Sequence, residues 1–86
     1  MKYATFIEYG NRDAIAEIRP AHREYLGTLR EAGKLAGSGP FTDDSGALII
    51  YETDTEEEAV QLLENDPFRK AGVFQSYTMK PWNQVF

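Results

Sequence analysis

The strongest constraint on this chain is the order in which its apolar residues change period. Residues 2–9 (KYATFIEY) are dense in β-branched and aromatic side chains and stop at Gly10-Asn11, a turn signal, which predicts a strand. Tyr25, Leu26 and Leu29 then repeat at helical spacing. The helix they define is expected to begin at Pro20, whose fixed φ suits a first helical position. It should run to about Ala32, with Gly33 as its cap and Arg30 against the negative end of the dipole. Pro20 biases Arg19 away from helical backbone, so residues 12–18 are expected to form no more than a short turn.

Residues 34–39 (KLAGSG) read as a short strand closed by Pro40, 41–46 (FTDDSG) as a loop, and 47–53 (ALIIYET) as the apolar second arm of a hairpin. Thr55 and Glu58 match a capping box, and Ala59, Leu62 and Leu63 give the helix behind it one apolar face. Asp66-Pro67 predicts a further helical turn, with Asp66 as N-cap and Gly72 as terminator, before a last strand at 73–80. The order β-α-β-β-α-β is the split βαβ, ferredoxin-like α+β arrangement, with the helices on one face of an antiparallel sheet. Aromatic residues on the other face would form a large exposed patch unless covered, so a homodimer stacked sheet against sheet is expected. The 86 residues read as one domain, 1–86, because a domain of this size buries only ~60% of its unfolded surface and cannot be divided further.

Composition removes several classes of function. Fourteen acidic residues face nine basic ones, seven of the acids fall between Glu52 and Asp66, and the Lys and Arg residues form no run. A nucleic-acid partner is therefore not expected. The absence of cysteine excludes disulfides, a thiol nucleophile and the common zinc sites, and one histidine leaves little to hold a transition metal. No stretch approaches the ~20 apolar residues of a membrane span, and the N-terminus reads at once as a strand rather than a signal peptide, so the cytoplasm is the expected compartment.

His22 is the leading candidate for chemistry. It precedes Tyr25, Leu26 and Leu29 by three, four and seven residues, which turns it inward near the expected helix start. The dipole and partial burial there both disfavour imidazolium and leave a neutral base. A half-buried structural histidine has the same pattern. Asp66 could orient the ring through one of its nitrogens, although capping alone also accounts for an Asp-Pro pair. Arg19, three residues before His22, could clamp an anion or sit in a surface ion pair. Ser38 and Gly39, within Gly37-Ser38-Gly39-Pro40, could bring a hydroxyl and backbone N–H groups to a ligand or serve only as a connection. Glu56, Glu57 and Glu58 read as a solvated first turn.

Four segments taken together resemble the YCII-like family: Arg19-Pro20-Ala21-His22-Arg23-Glu24-Tyr25-Leu26, Gly33-Lys34-Leu35 leading to Gly39-Pro40, Asp66-Pro67-Phe68 with Ala71-Gly72-Val73, and Lys80-Pro81-Trp82. The resemblance spans nearly the whole chain. It implies a ferredoxin-like dimeric α+β barrel and a His–Asp dyad, with the histidine carried to His22 and the aspartate to Asp66; Asp43 and Asp44, in a loop that could face a cleft, stay open as alternatives. Arg19, Ser38, Gly39 and Pro81 are then the candidate substrate contacts. One member type of this family is a dehydrochlorinase acting on a chlorinated hydroxyhydroquinone in aromatic degradation, and muconolactone isomerases are more distant relatives with a similar barrel.

The function expected from these readings is a small lyase or isomerase that needs no cofactor, takes a proton from a small aromatic or quinoid substrate, and works as a homodimer or higher oligomer. The rival expectation is a dimeric module that binds a small molecule or a protein without catalysis, in which His22 is structural.

Overall fold

A computed structural model describes residues 1–86. The elements are β1 (Lys2–Tyr9), a 3-10 turn (Arg12–Ala14), α1 (Ile15–Glu31), β2 (Leu35–Pro40), β3 (Gly46–Glu52), α2 (Glu56–Glu64), α3 (Pro67–Lys70) and β4 (Phe74–Trp82). The strands form one antiparallel sheet in the order β2-β3-β1-β4. The fold is the expected ferredoxin-like α+β arrangement. No helix is long and apolar enough to cross a membrane.

The alternation of β1 shows which sheet face is covered. Tyr3, Thr5 and Ile7 are buried while Phe6 and Glu8 are exposed, as a period of two requires when one face is packed. Tyr3, Ile7, Ile49, Tyr51 and Phe74 meet Leu26 and Leu29 of α1, Ala59 and Leu63 of α2, and Phe68 of α3 in one cluster. Gly46 allows β3 to start close against β1, since a Cβ there would lie 1.7 Å from the Ile7 carbonyl oxygen.

The start of α1 departs from expectation. The helix begins at Ile15, five residues before Pro20, and carries the proline inside it. Pro20 withholds the N–H that would bond the Ala16 carbonyl, a defect that costs about 3 kcal/mol in a helix interior. Two features offset it: the Pro20 ring sits on the exposed side, and Ile15 and Ile18 extend the apolar stripe of Leu26 and Leu29 onto the core. Asn11 does not cap the turn with its side chain; its amide donates to the Ala71 carbonyl at 3.0 Å, fastening the approach to α1 onto the end of α3.

The second helix starts as expected, with Glu58 N–H donating to Thr55 Oγ1 at 3.2 Å. Only that half of the capping box forms, because the Glu58 carboxylate takes Lys34 Nζ at 3.3 Å instead. β4 runs two residues beyond the expected end, through Pro81 to Trp82. β4 is an edge strand, where a proline need not donate to the ladder.

Both edge strands slip register once. The β1·β4 ladder passes from Glu8 opposite Ser76 to Tyr9 opposite Phe74, and the β2·β3 ladder from Leu35 opposite Tyr51 to Gly37 opposite Ile50. Each slip inserts one residue, Gln75 or Ala36, and exchanges the sheet faces of the residues beyond it. Phe74 thereby joins Tyr9 on the helix side, and Ser38 and Pro40 lie opposite Ile49 and Ala47 on that same side. An unbroken alternation would put all three on the opposite face.

Candidate functional site

His22 is the eighth residue of α1 and its side chain is 12% exposed. Since the influence of a helix terminus fades within the first turn, the dipole expected to act on the ring does not reach it. Asp66 does. Its Oδ1 lies 2.8 Å and its Oδ2 3.0 Å from His22 Nδ1. The same Oδ1 accepts the Phe68 backbone N–H at 2.9 Å as the N-cap of α3, so capping and ring contact coexist on one oxygen rather than dividing between two.

Asp66 is fully buried. A carboxylate withdrawn from water is strongly destabilising unless hydrogen-bonded, and Phe68 N–H and the imidazole supply those bonds. An ionised carboxylate can only accept, so beside one a neutral imidazole would carry its hydrogen on Nδ1 and leave its lone pair on Nε2. No group of the chain hydrogen-bonds Nε2. Aromatic packing fixes the ring plane: Phe68 stacks on it at 4.0 Å between centroids and 12° from parallel, and Phe74 meets it edge-on at 5.6 Å.

His22 lines two hollows. The larger, about 430 Å³, is lined by Tyr9, Arg12, Ile15, Ala16, Arg19, His22, Arg23, Pro40, Asp44 and Phe68. The smaller, about 180 Å³, runs between α1 and the β2–β3 hairpin past Ser38, Gly39, Pro40, Ala47 and Ile49. Arg19, Ser38 and Gly39 therefore line the hollows beside His22, and Ser38 arrives there through the slip in β2. Asp43 does not reach the ring: it is exposed, its Oδ1 accepts the Ser45 backbone N–H at 2.9 Å, and hydrogen bonding from the Ser45 side chain first and its backbone second holds the carboxyl below the usual range. Asp44 lies at the rim, in left-handed backbone at φ 59°.

Pro81 is not part of this site. It lies opposite Tyr3 near the far end of β4 and lines a different hollow, with Ala4, Phe6, Leu48, Ile50, Lys80 and Trp82. The reason is directional: Phe74 begins β4 beside the histidine, and seven residues of extended chain carry Pro81 roughly 23 Å along the sheet.

Tyr9, Arg12, Arg23, Phe68 and Phe74 are the site residues that the sequence reading missed. Arg19 and Arg23 are one turn apart, and Arg23 follows His22 directly, a spacing that could have drawn attention to it. Burial raises the Tyr9 phenol above its usual range, with Asp44 adding to the rise and Arg19 and Arg12 opposing it. Nothing local marks Phe74, because only the strand slip turns it inward.

A family model of the YCII-related domain matches residues 1–83. Among related sequences, Protein YciI of Escherichia coli O6:H1 is 33% identical over 79 residues, covering 80% of this chain and 81% of that protein. The uncharacterised protein YjpA of Bacillus subtilis strain 168 is 34% identical over 61 residues, 71% of each chain. Among solved structures, the 5-chloro-2-hydroxyhydroquinone dehydrochlorinase TftG of Burkholderia phenoliruptrix AC1100, in complex with 2,5-dihydroxybenzoquinone, superposes with a TM-score of 0.83 at 28% identity, over 96% of this chain and 94% of that one. Agreement of the matched sequence with a fold shared almost end to end shows that the chain belongs to the YCII-related domain family.

Proposed function

We propose that this protein is a lyase that moves protons with a His–Asp dyad and no cofactor, acting on a small oxygenated ring compound. The observation that carries the reading is the held imidazole: Nδ1 bonded to a buried Asp66 at 2.8 Å, the ring face stacked on Phe68, and Nε2 without a protein partner beside a cleft. A base so fixed has its tautomer chosen in advance, and the adjacent carboxylate stabilises the imidazolium formed when Nε2 takes a proton.

The likeness to a dehydrochlorinase supports a chlorinated hydroxyhydroquinone as one substrate. His22 Nε2 takes a hydroxyl proton, and the electron pair left on oxygen drives the ring to a keto form protonated at the chlorine-bearing carbon. Loss of a second hydroxyl proton then expels chloride, which leaves with the C–Cl electron pair. The products are a hydroxyquinone and HCl, and no external oxidant is required. Arg19 and the backbone N–H groups near Ser38 stabilise the oxyanion as it develops. Phe68 and Phe74 pack the imidazole from behind, while Ile15, Ala16 and Pro40 give the cleft apolar wall suited to a ring.

A second copy of the chain completes the assembly in this reading. Phe6 and Trp82 are 47% and 41% exposed on the sheet face away from the helices. They rim an apolar hollow with Ala4, Leu48 and Ile50 that a like face would cover.

The test is turnover of chlorinated and unchlorinated hydroxyquinols and of muconolactones by wild type, His22→Ala and His22→Asn, following quinone absorbance and released chloride. Loss of about 100- to 10,000-fold in kcat with an unchanged circular dichroism spectrum is the expected result. Full turnover in both variants would overturn the mechanism, and no turnover in any of the proteins would favour a binding module.

A further inference from the structure

Three of the nine basic residues of this acidic chain, Arg12, Arg19 and Arg23, line the cleft beside His22. Arg12 comes from the 3-10 turn, while Arg19 and Arg23 lie four residues apart on α1 and flank the histidine in sequence. The ion pairs of the molecule are Met1 and Lys2 with Glu52, His22 with Asp66, Lys34 with Glu58, and Arg69 with Glu64. None involves a cleft arginine. Fourteen carboxylates are available to nine basic side chains, yet these three guanidiniums converge on one hollow with no acid within 4.0 Å.

We infer that this cleft selects an anionic ring ligand, with Arg19 and Arg23 as the clamp for its ionised oxygens, Arg12 as a further positive charge at the mouth, and Asp44 as the single opposing charge at the rim. Guanidinium groups bind carboxylate-like oxygen pairs through parallel N–H bonds, and lysine would supply only a point charge. The volume of about 430 Å³ and the apolar contributions of Ile15, Ala16, Pro40 and Phe68 suit a flat ring. A ring whose hydroxyl is conjugated to a carbonyl across a double bond is a vinylogous carboxylic acid. Hydroxyquinones of that kind are ionised at neutral pH and share their charge over two oxygens. The tightest-bound ligand is therefore the deprotonated hydroxyquinone or an aromatic carboxylate of the same size, and a neutral hydroxyhydroquinone gains the clamp only once His22 has taken its proton.

This inference rests on the cleft being the ligand site of the proposed lyase, and does not depend on proton transfer at His22. Its test is accordingly equilibrium binding. The anionic probe is 2,5-dihydroxybenzoquinone, and the neutral probe is 2,5-dimethylbenzoquinone, whose methyl groups occupy nearly the volume of the hydroxyls and carry no charge. Wild type is expected to bind the anion at least about 10-fold tighter than the neutral ring, and Arg19→Gln/Arg23→Gln to weaken the anion about 10- to 100-fold without affecting the neutral probe. Asp44→Asn is expected to move the other way, tightening the anion about two- to five-fold, with asparagine tolerating the left-handed backbone at that position. Damage to the fold could weaken both probes but could not produce these opposite shifts. Equal affinity for the two probes, or anion binding indifferent to the double arginine change, would overturn the inference. Arginine-dependent binding without turnover would leave it standing while removing the dyad mechanism. Turnover lost in His22→Asn with anion binding retained is the pattern expected if both hold.

Discussion

The imidazole of His22 and the phenyl ring of Phe68 lie 4.0 Å apart between centroids and 12° from parallel, and the same short helix that presents Phe68 is capped by Asp66, the hydrogen-bond partner of the imidazole. α3 thus grips the histidine twice, once at its edge and once on its face. This double grip makes capping and ring orientation separable by mutation. Asp66→Asn retains a side-chain oxygen that can cap α3, since asparagine caps about as well as aspartate, but removes the charge behind the ring. Its melting temperature should stay within a few degrees of wild type while kcat falls about 100- to 10,000-fold. Asp66→Ala should lose the activity and, in addition, about 1–2 kcal/mol of stability in denaturant titration. Equal activity in Asn and wild type would leave Asp66 as a cap alone.

Tyr51 carries a hydroxyl that finds no partner in the core, and its side chain is completely buried. Burial pushes the phenol far above its usual range, with the nearby Asp66 charge adding to the effect. The linkage follows from the sign of that shift. The folded state holds the proton above pH ~10, where the unfolded chain releases it, so the stabilisation is whole below that pH and declines as pH rises further, by up to about 1.4 kcal/mol per unit. Tyr51→Phe should be neutral, or stabilising by about 1 kcal/mol, at pH 7, because it removes an unsatisfied polar group. Its stability should also fall less steeply than that of wild type above pH 10 in urea titrations. Parallel alkaline limbs in the two proteins would contradict the assignment.

Tyr25 gives the contrasting case. Its hydroxyl donates to the Leu62 carbonyl at 2.7 Å and ties α1 to the last turn of α2. Tyr25→Phe should therefore cost about 1 kcal/mol by urea titration at neutral pH, opposite in sign to the change at Tyr51. Two tyrosines on the same core, one satisfied and one not, test whether the hydrogen bond rather than the ring supplies the difference.

The element order was legible because each strand and helix carries its own period and its own stop, and caps such as Thr55, Asp66 and Gly33 act locally. Asp66 was legible as a site residue only through a double reading, since its capping pattern is complete without the histidine. Two things were not legible. The long-range burial of Ile15 and Ile18 keeps α1 helical through Pro20, and a local rule for proline cannot weigh contacts made tens of residues away. The slips at Ala36 and Gln75 are set by how two strands pair. For that reason Ser38 was a candidate on chemistry alone and Phe74 was absent from the site, whereas Pro81, expected just after the last strand, lies away from the histidine because of the direction in which β4 runs and not because of either slip.

Pro20 offers a direct test of that balance. If tertiary burial holds α1 together despite the missing hydrogen bond, Pro20→Ala should restore the bond to the Ala16 carbonyl and raise stability by about 1–3 kcal/mol. The side chain is exposed, so no core contact is lost. Amide exchange should slow around residues 15–21. A destabilised variant would mean that the proline sets a bend the fold requires.

The uncovered sheet face yields the last prediction. Phe6 stands opposite Leu48 on β3 and Thr78 on β4, with Ala4 and Ile50 paired one step along the same face. None of these side chains points into the helix-side core, because strand residues of one parity share a face. A change at Phe6 therefore acts on whatever covers that face and only weakly on folding of the protomer. If a second copy covers it, wild type should sediment at twice the 9.8 kDa chain mass at micromolar concentration, and its melting temperature should rise with concentration. Phe6→Asp should sediment as a monomer with a melting temperature independent of concentration, because an unpaired carboxylate cannot be buried in an apolar contact without a large desolvation cost. Phe6→Thr, which keeps a strand-forming residue without the charge, should weaken the dimer to a lesser degree. A wild type that stays monomeric at tens of micromolar, or an Asp variant that stays dimeric, would mean that the two copies do not meet on this face.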